Sequence, residues 1–227
     1  MITRRQFTLT TAFVLAGGLR AVVHAADPAP AHKMPSTAEI WDGLMAGNKR
    51  FVAGKPRARS LVPLRQELAK GQYPLVTVLG CSDSRVSPSL VFDQTIGELF
   101  EVRVAGNVAD PAALGSIEYA VDHLHTPVLL VLGHDKCGAV EAAASGAAMP
   151  SPGLEALVKK IQPAVASVRG KATGDALVDL AVDANVHQSA RDLLESSAIL
   201  RRHADAGRLT VLKARYRLGS GEVVRLA

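Results

Sequence analysis

The chain has 227 residues, enough for one ordinary domain with a sizeable hydrophobic core. With 48% hydrophobic and 21% charged residues, its composition is that of a globular protein and excludes an intrinsically disordered chain. The formal charge is +5, and aromatic residues make up only 4%, so the core must rest on Val, Leu, Ala and Ile.

The first 25 residues have the features of an export signal. An arginine pair in TRRQFT precedes a charge-free stretch over residues 6–19, and the tripeptide Val-His-Ala precedes Ala26. We predict a twin-arginine signal cleaved near Ala25–Ala26, and hence an exported, periplasmic protein; a Sec signal and an uncleaved anchor are the alternatives. The stretch is short and contains Thr and Gly, so we expect no stable membrane span after processing.

Removal of residues 1–25 takes away three arginines and no acids, which lowers the formal charge from +5 to +2. Such a balance gives no reason to expect a nucleic-acid partner or an anionic membrane surface. Residues 26–37 are rich in Pro and Ala and are interpreted as a linker, and residues 38–227 as a single domain.

From Ser36 onwards, helical and strand patterns alternate. Ser36 or Thr37 is a possible helix N-cap. Continuous runs of apolar, strand-favouring residues, bounded by Pro or Gly, indicate buried strands. The expected elements, in chain order, are helices over 36–54 and 61–71, strands over 73–80 and 98–106, a helix over 110–124, a strand over 126–133, helices over 137–146, 152–168 and 176–207, and a strand pair over 209–218 and 222–227. This alternation predicts an α/β fold, in which helices flank a mostly parallel sheet of four to five strands and the last strand is antiparallel.

Two polar motifs follow buried strands. Cys81 in LGCSDSR follows one strand and His134 in LGHDKCGAV follows another; ligand sites form beyond the carboxyl ends of parallel strands, so these residues converge if the strands are neighbours. His134 and Cys137 are expected to open the next helix, about one turn apart, where the helix N-terminus favours a thiolate. Cys81, His134 and Cys137 then form a Cys2His set, which suits tetrahedral zinc with an open fourth position.

Asp83 and Arg85 lie next to Cys81 and leave two arrangements open. Asp83 could bind the metal as a fourth ligand, or it could be held away by a bidentate pair with Arg85 and accept a hydrogen bond from a zinc-bound water. The second arrangement makes the zinc catalytic, because the metal lowers the pKa of its water towards ~7. A structural zinc or a Cys81–Cys137 disulfide are the non-catalytic alternatives, although a disulfide leaves His134 unexplained.

Several spaced motifs, taken together, resemble the β-class carbonic anhydrases over roughly residues 38–226. They are GNKRF, CSDSR, GELFEVRVAGN, GSIEYAVDHL, LVLGHDKCGAV, ANVHQSA and YRLGSGEV. The resemblance implies that Cys81, His134 and Cys137 bind one zinc ion per subunit, with Asp83 and Arg85 as the neighbouring catalytic dyad.

The resemblance also implies an activity and an assembly. The implied reaction is the reversible hydration of carbon dioxide to bicarbonate and a proton by zinc-bound hydroxide, and the implied assembly is a homodimer or a dimer of dimers. Gly106 and Asn107 match the family's AGN stretch, and with Gly138 they are expected to support the substrate pocket. Hydrolases of carbon disulfide or carbonyl sulfide on the same scaffold are the nearest alternative.

Overall fold

The computed structural model describes residues 34–227. The predicted signal over 1–25 and most of the predicted linker over 26–37 lie outside the described residues. The first helix begins at Thr37, one residue before the predicted domain boundary. Among the helices of residues 34–227, none is both long and apolar enough to cross a bilayer.

Five strands form one sheet in the order β2-β1-β3-β4-β5. Their bounds are β1 Val76–Gly80, β2 Leu99–Arg103, β3 Val128–His134, β4 Thr210–Tyr216 and β5 Val223–Arg225. β1 pairs in parallel with β2 and β3, and β3 pairs in parallel with β4. β5 pairs antiparallel with β4, so the predicted fold class is confirmed in its strand number, its parallel core and its reversed last strand.

Eight α-helices flank the sheet within the described part of the chain. They are α1 Thr37–Val52, α2 Leu61–Leu68, α3 Pro88–Val91, α4 Pro111–Asp122, α5 Gly138–Ser145, α6 Pro152–Val168, α7 Gly174–Ser196 and α8 Ala198–Asp205. α1 and α3 pack on one face of the sheet, and α4, α7 and α8 pack on the other. α5 and α6 pack with α7 around the two cysteines.

The strand sequences explain this layered arrangement. Alternate residues of β3 enter opposite cores: Leu130 packs with α1 and α3, and Leu129 packs with α4, α7 and α8. Every residue of β1 and β3 is buried, as expected for central parallel strands covered on both faces. At the start of α1, Ser36 and Glu39 form a reciprocal capping box, which fixes where that helix begins.

One helix prediction needs correction, and one short helix was missed. The helix predicted over 176–207 is divided into α7 and α8 at Ser197, which has an extended backbone (φ −120°, ψ 113°). The Ser197 hydroxyl accepts a hydrogen bond from the Leu200 amide at 3.1 Å and donates one to Glu118 at 2.5 Å, so it caps α8 and ties it to α4. The four-residue helix α3 was not predicted, because it is too short to show a helical period.

Candidate metal centre and active site

Two neighbouring strands bring the predicted metal ligands together. Cys81 directly follows β1, and His134 is the last residue of β3, which is hydrogen-bonded to β1. The ligand atoms of Cys81, His134 and Cys137 all lie within 4.8 Å of one another, and all three residues are buried. The two Sγ atoms are 4.0 Å apart and both thiols are free, so the protein has a thiol pair rather than the alternative disulfide.

The local backbone between His134 and Cys137 differs from the prediction. His134 and Cys137 do not open a helix together, because β3 extends through His134, and Cys137 is the N-cap residue of α5. A two-residue turn, Asp135 and Lys136, separates them, and Lys136 has a left-handed backbone (φ 49°). The turn, and not a helical period, therefore brings both ligands close together. Only Cys137 lies at a helix N-terminus, where the helix dipole favours a thiolate.

The orientation of the His134 ring is suited to a metal ligand. Its Nδ1 lies 2.8 Å from the backbone oxygen of Asp135, an acceptor, so Nδ1 carries the proton. Nε2 then has a free lone pair, and it is a buried atom without a hydrogen-bond partner among the described residues. A buried acceptor without a partner beside two thiols fits a bound cation, and this Nδ1–carbonyl bond is the usual device that orients a metal-bound imidazole.

The two thiols form a pair that readily gives up a proton. A hydrogen bond from Cys137 lowers the pKa of the Cys81 thiol, and the backbone amide of Gly106, 3.2 Å from the Cys81 sulfur, also lowers it. The bond to Cys81, together with burial, raises the pKa of Cys137. The pair therefore favours loss of one proton from Cys81, and a bound metal would displace the remaining proton from Cys137.

Asp83 is held by Arg85 and is not part of the ligand cluster. The Asp83 Oδ1 atom accepts bonds from the Arg85 Nε and backbone amide, both at 2.9 Å, and Oδ2 accepts one from Nη2 at 2.7 Å. This bidentate pair lowers the pKa of Asp83 to about 2. The remaining approach to Oδ2 faces the metal centre, because this atom is 3.9 Å from Nε2 of His134.

The three residues predicted to support the pocket have different surroundings. Gly106 has a left-handed backbone (φ +68°), and a Cβ atom there would lie 2.6 Å from Cδ1 of Ile161, so this position requires glycine. Asn107 is buried and also has a positive φ of 45°, and its Nδ2 has no partner among the described residues. Gly138 begins α5 with open space at its Cβ position, so packing does not require glycine there.

Sequence reasoning missed residues that hold the backbone of this site. Arg103, at the end of β2, donates to the backbone oxygens of Cys81 at 3.0 Å and Asp83 at 2.7 Å. Asn185 on α7 donates to the backbone oxygen of Gly106 at 2.8 Å. The position of Arg103 at the carboxyl end of a strand beside β1 was the signal that could have revealed its role.

A second missed group surrounds Arg215 on β4, which is 4% exposed. Its Nε donates to Asp135 at 2.6 Å, and Nη1 donates to the backbone oxygen of Asp179 at 3.1 Å and to Asp183 at 3.3 Å. Nη2 binds the Asp179 carboxylate. Only the folded chain brings these residues together, because they come from β4, α7 and the turn after His134.

The chain is similar to carbonic anhydrases in sequence and in structure. A family model described as carbonic anhydrase matches residues 76–223. The chain is 40% identical over 197 residues to carbonic anhydrase 2 of Mycobacterium tuberculosis, covering 84% of this chain and 94% of that protein. It is 38% identical over 196 residues to the carbonic anhydrase of Mycolicibacterium smegmatis, with the same coverage of both chains.

Solved structures give the same result. The β-carbonic anhydrase CafA of Aspergillus fumigatus superposes with a TM-score of 0.69 at 26% identity, covering 82% of this chain and 90% of that one. The Coccomyxa β-carbonic anhydrase, solved with acetazolamide, gives a TM-score of 0.65 at 27% identity, covering 83% and 82%.

Fold and site together define an α/β protein with a Cys2His ligand set at the carboxyl ends of parallel strands. The chain belongs to the carbonic anhydrase family, and its structural relatives place it in the β-class.

Proposed function

We propose that this protein catalyses the reversible hydration of carbon dioxide to bicarbonate and a proton, with one zinc ion per subunit. The proposal rests on one observation: three buried metal-ligand atoms lie together, and Arg85 holds the carboxylate of Asp83 beside them. The family of the chain supports the same lyase activity.

Cys81, His134 and Cys137 would hold the zinc ion through Sγ, Nε2 and Sγ. Two thiolates and one neutral imidazole are a donor set that zinc prefers in tetrahedral sites. When bound, zinc supplies Lewis-acid activation of water, lowering the pKa of that water towards ~7.

Asp83 orients the reacting molecule through its one uncommitted acceptor position. With a pKa of about 2 it is ionised at neutral pH, so it accepts hydrogen bonds and donates none. Three of the roughly four acceptor positions of a carboxylate are taken by Arg85, and one remains at Oδ2. We infer that this position accepts an O–H from the attacking water or from bicarbonate, and so fixes the direction of attack.

The surroundings of the ligands suit an uncharged substrate. Cys81 and Cys137 belong to an apolar cluster with Val108, Val140 and Ile161. Carbon dioxide carries no charge, so its transfer from water to these apolar surroundings costs little free energy. Bicarbonate is an anion, so the same transfer is less favourable for it.

The test is stopped-flow carbon dioxide hydration by the zinc-loaded protein near pH 8, with Cys81→Ser as the ligand variant. We expect fast hydration that is lost in Cys81→Ser together with the zinc. A matched Ser82→Ala variant changes an exposed neighbour of Cys81 and is expected to keep both. Zinc binding without hydration, but with turnover of carbon disulfide or carbonyl sulfide, would assign the alternative reaction.

We further propose a homodimer, or a dimer of dimers. Its support is the resemblance of the motifs to β-class enzymes and the exposure of large apolar residues near α2: Leu61 is 53% exposed, Val62 59% and Ile96 48%. Sedimentation velocity tests the assembly, and a monomer at micromolar concentration would contradict it.

We also propose export to the periplasm, supported by the arginine pair and the cleavage sequence of residues 1–25. Cell fractionation with N-terminal sequencing tests this proposal. The expected mature chain begins at Ala26, and the arginine pair changed to lysines is expected to block export.

A further inference from the structure

We propose that Arg215 is a positioning residue for the metal centre: through Asp135, its guanidinium fixes the turn that sets the spacing of His134 and Cys137. The inference rests on the proposed zinc site and assigns to it a group on a different strand. Arg215 contacts none of the three ligand atoms in the interactions that the structure describes.

The turn between the two ligands is held at each of its two residues. The backbone oxygen of Asp135 accepts a hydrogen bond from Nδ1 of His134, and the backbone amide of Asp135 donates to the backbone oxygen of Tyr216 at 3.1 Å. The backbone oxygen of Lys136 accepts a bond from Nη2 of Arg85 at 3.3 Å. The side chain of Asp135 is held separately, because its Oδ1 accepts a hydrogen bond from Nε of Arg215 at 2.6 Å.

The turn needs such a hold because its backbone is strained. Lys136 has a φ of 49°, and for a residue other than glycine such a conformation is kept only where the surroundings enforce it. If the turn relaxed, His134 and Cys137 would change their separation, since only these two residues connect them. Metal sites are sensitive to such changes of ligand orientation.

The Arg215 side chain is itself held in place, so it can fix the position of Asp135. Its side chain is 5% exposed, it pairs with Gly133 across the β3–β4 ladder, and its other nitrogens bind Asp179 and Asp183 on α7. The same helix carries Asn185, which holds the backbone beside the Cys81 sulfur. Arg215 thus joins the ligand turn to the helix that also supports the first cysteine.

The test measures the affinity for zinc by competition with a chromophoric chelator, using wild-type protein, Arg215→Met, Asp135→Ala and the double variant. Loss of an outer partner of a metal site costs about 10–100-fold in affinity; because Arg215 acts through Asp135, we expect the low end, about 10-fold. Each single variant and the double variant should lose the same factor, because the two residues act as one unit. Arg215→Lys keeps the positive charge but lacks the several nitrogen donors of the guanidinium group, so this variant should lose less affinity than Arg215→Met.

Controls separate positioning from general loss of stability. Leu200→Ala removes a buried side chain of α8 and lowers stability without touching the site, and we expect wild-type zinc affinity while it remains folded. The d–d absorption of the Co²⁺-loaded proteins should change in Arg215→Met and not in Leu200→Ala, because it reports ligand geometry. If Arg215→Met does not fold, Asp135→Asn, which keeps the size of the side chain, tests the same contact.

Unchanged zinc affinity in Arg215→Met, or losses of Arg215→Met and Asp135→Ala that multiply in the double variant, would overturn the inference. Failure of the wild-type protein to bind zinc would instead overturn the proposed function, so the two failures are distinguishable.

Discussion

Replacement of Gly133 by alanine should overpack the contact between β3 and α7 next to His134. A Cβ atom on Gly133 would lie 2.4 Å from Cγ2 of Val186 on α7, and 3.6 Å from Cγ1 of Val182. Ordinary contacts begin at about 3.4 Å, so α7 or β3 must move by roughly 1 Å. Val186 is fully buried, so it has no free space into which to turn.

Overpacking of this kind costs about 1–3 kcal/mol, and we expect the free energy of unfolding of Gly133→Ala to fall by that amount. The assay is urea unfolding of the purified protein followed by circular dichroism. Gly115→Ala is the matched control, because Gly115 lies within α4 with no atom near its Cβ position. Alanine there should raise stability by about 0.5–1 kcal/mol through helix propensity.

Val186→Ala supplies the decisive comparison. Alone, it should destabilise the protein by leaving a cavity, but combined with Gly133→Ala it makes room for the new methyl group. The double variant should therefore lose less than the sum of the two single losses by at least about 1 kcal/mol. A Gly133→Ala protein as stable as wild type, or a strictly additive double variant, would refute the proposed contact with α7.

Three further predictions concern other parts of the site and fold. Asp83→Asn should lower kcat/KM for carbon dioxide by about 10–100-fold while leaving the zinc content unchanged, since Asp83 is outside the ligand cluster; full activity, or loss of zinc in metal analysis, would contradict its role. Gly106→Ala should lower the free energy of unfolding by about 1–3 kcal/mol and weaken zinc binding, because of its positive φ and the close approach of Ile161; equilibrium unfolding and chelator competition check both effects. Burial acts to raise the pKa of Asp93, but hydrogen bonds from Arg50 and Arg59 outweigh it and hold this pKa well below its usual range. The contribution of ionised Asp93 to stability is therefore present above about pH 4 and is lost as the pH falls towards the lowered pKa. Urea unfolding should therefore show a stability gap between wild type and Asp93→Asn that narrows below pH 4, and a constant gap would contradict the assignment.

The sheet could be predicted from the sequence because its strands are central and buried. β1 and β3 contain largely apolar runs that lead up to Gly80 and Gly133, and such runs are typical of parallel strands covered on both faces. The same reasoning placed Cys81 and His134 at one edge, since the ends of parallel strands meet there. The break at Ser197 could not be predicted, because it depends on a contact with Glu118 on another helix.

The candidate site could be predicted only in part. Cys81, His134 and Cys137 are revealed by their residue types and spacing, and Asp83 and Arg85 by their position beside Cys81. The turn at Asp135 and Lys136 was interpreted as helix, because two ligands three residues apart fit either backbone. Arg103 could have been suspected only from its position at the carboxyl end of the strand beside β1. Arg215 carries no such signal, since it acts on residues distant in sequence.

The central claim is that one zinc ion on Cys81, His134 and Cys137 makes this protein a carbon dioxide hydratase. The most direct measurement is the initial rate of carbon dioxide hydration while zinc is added stepwise to metal-free protein. The account predicts a rate that rises linearly with bound zinc and stops rising at one ion per subunit. Full hydration by the metal-free protein, or no hydration when one zinc ion is bound per subunit, would contradict it.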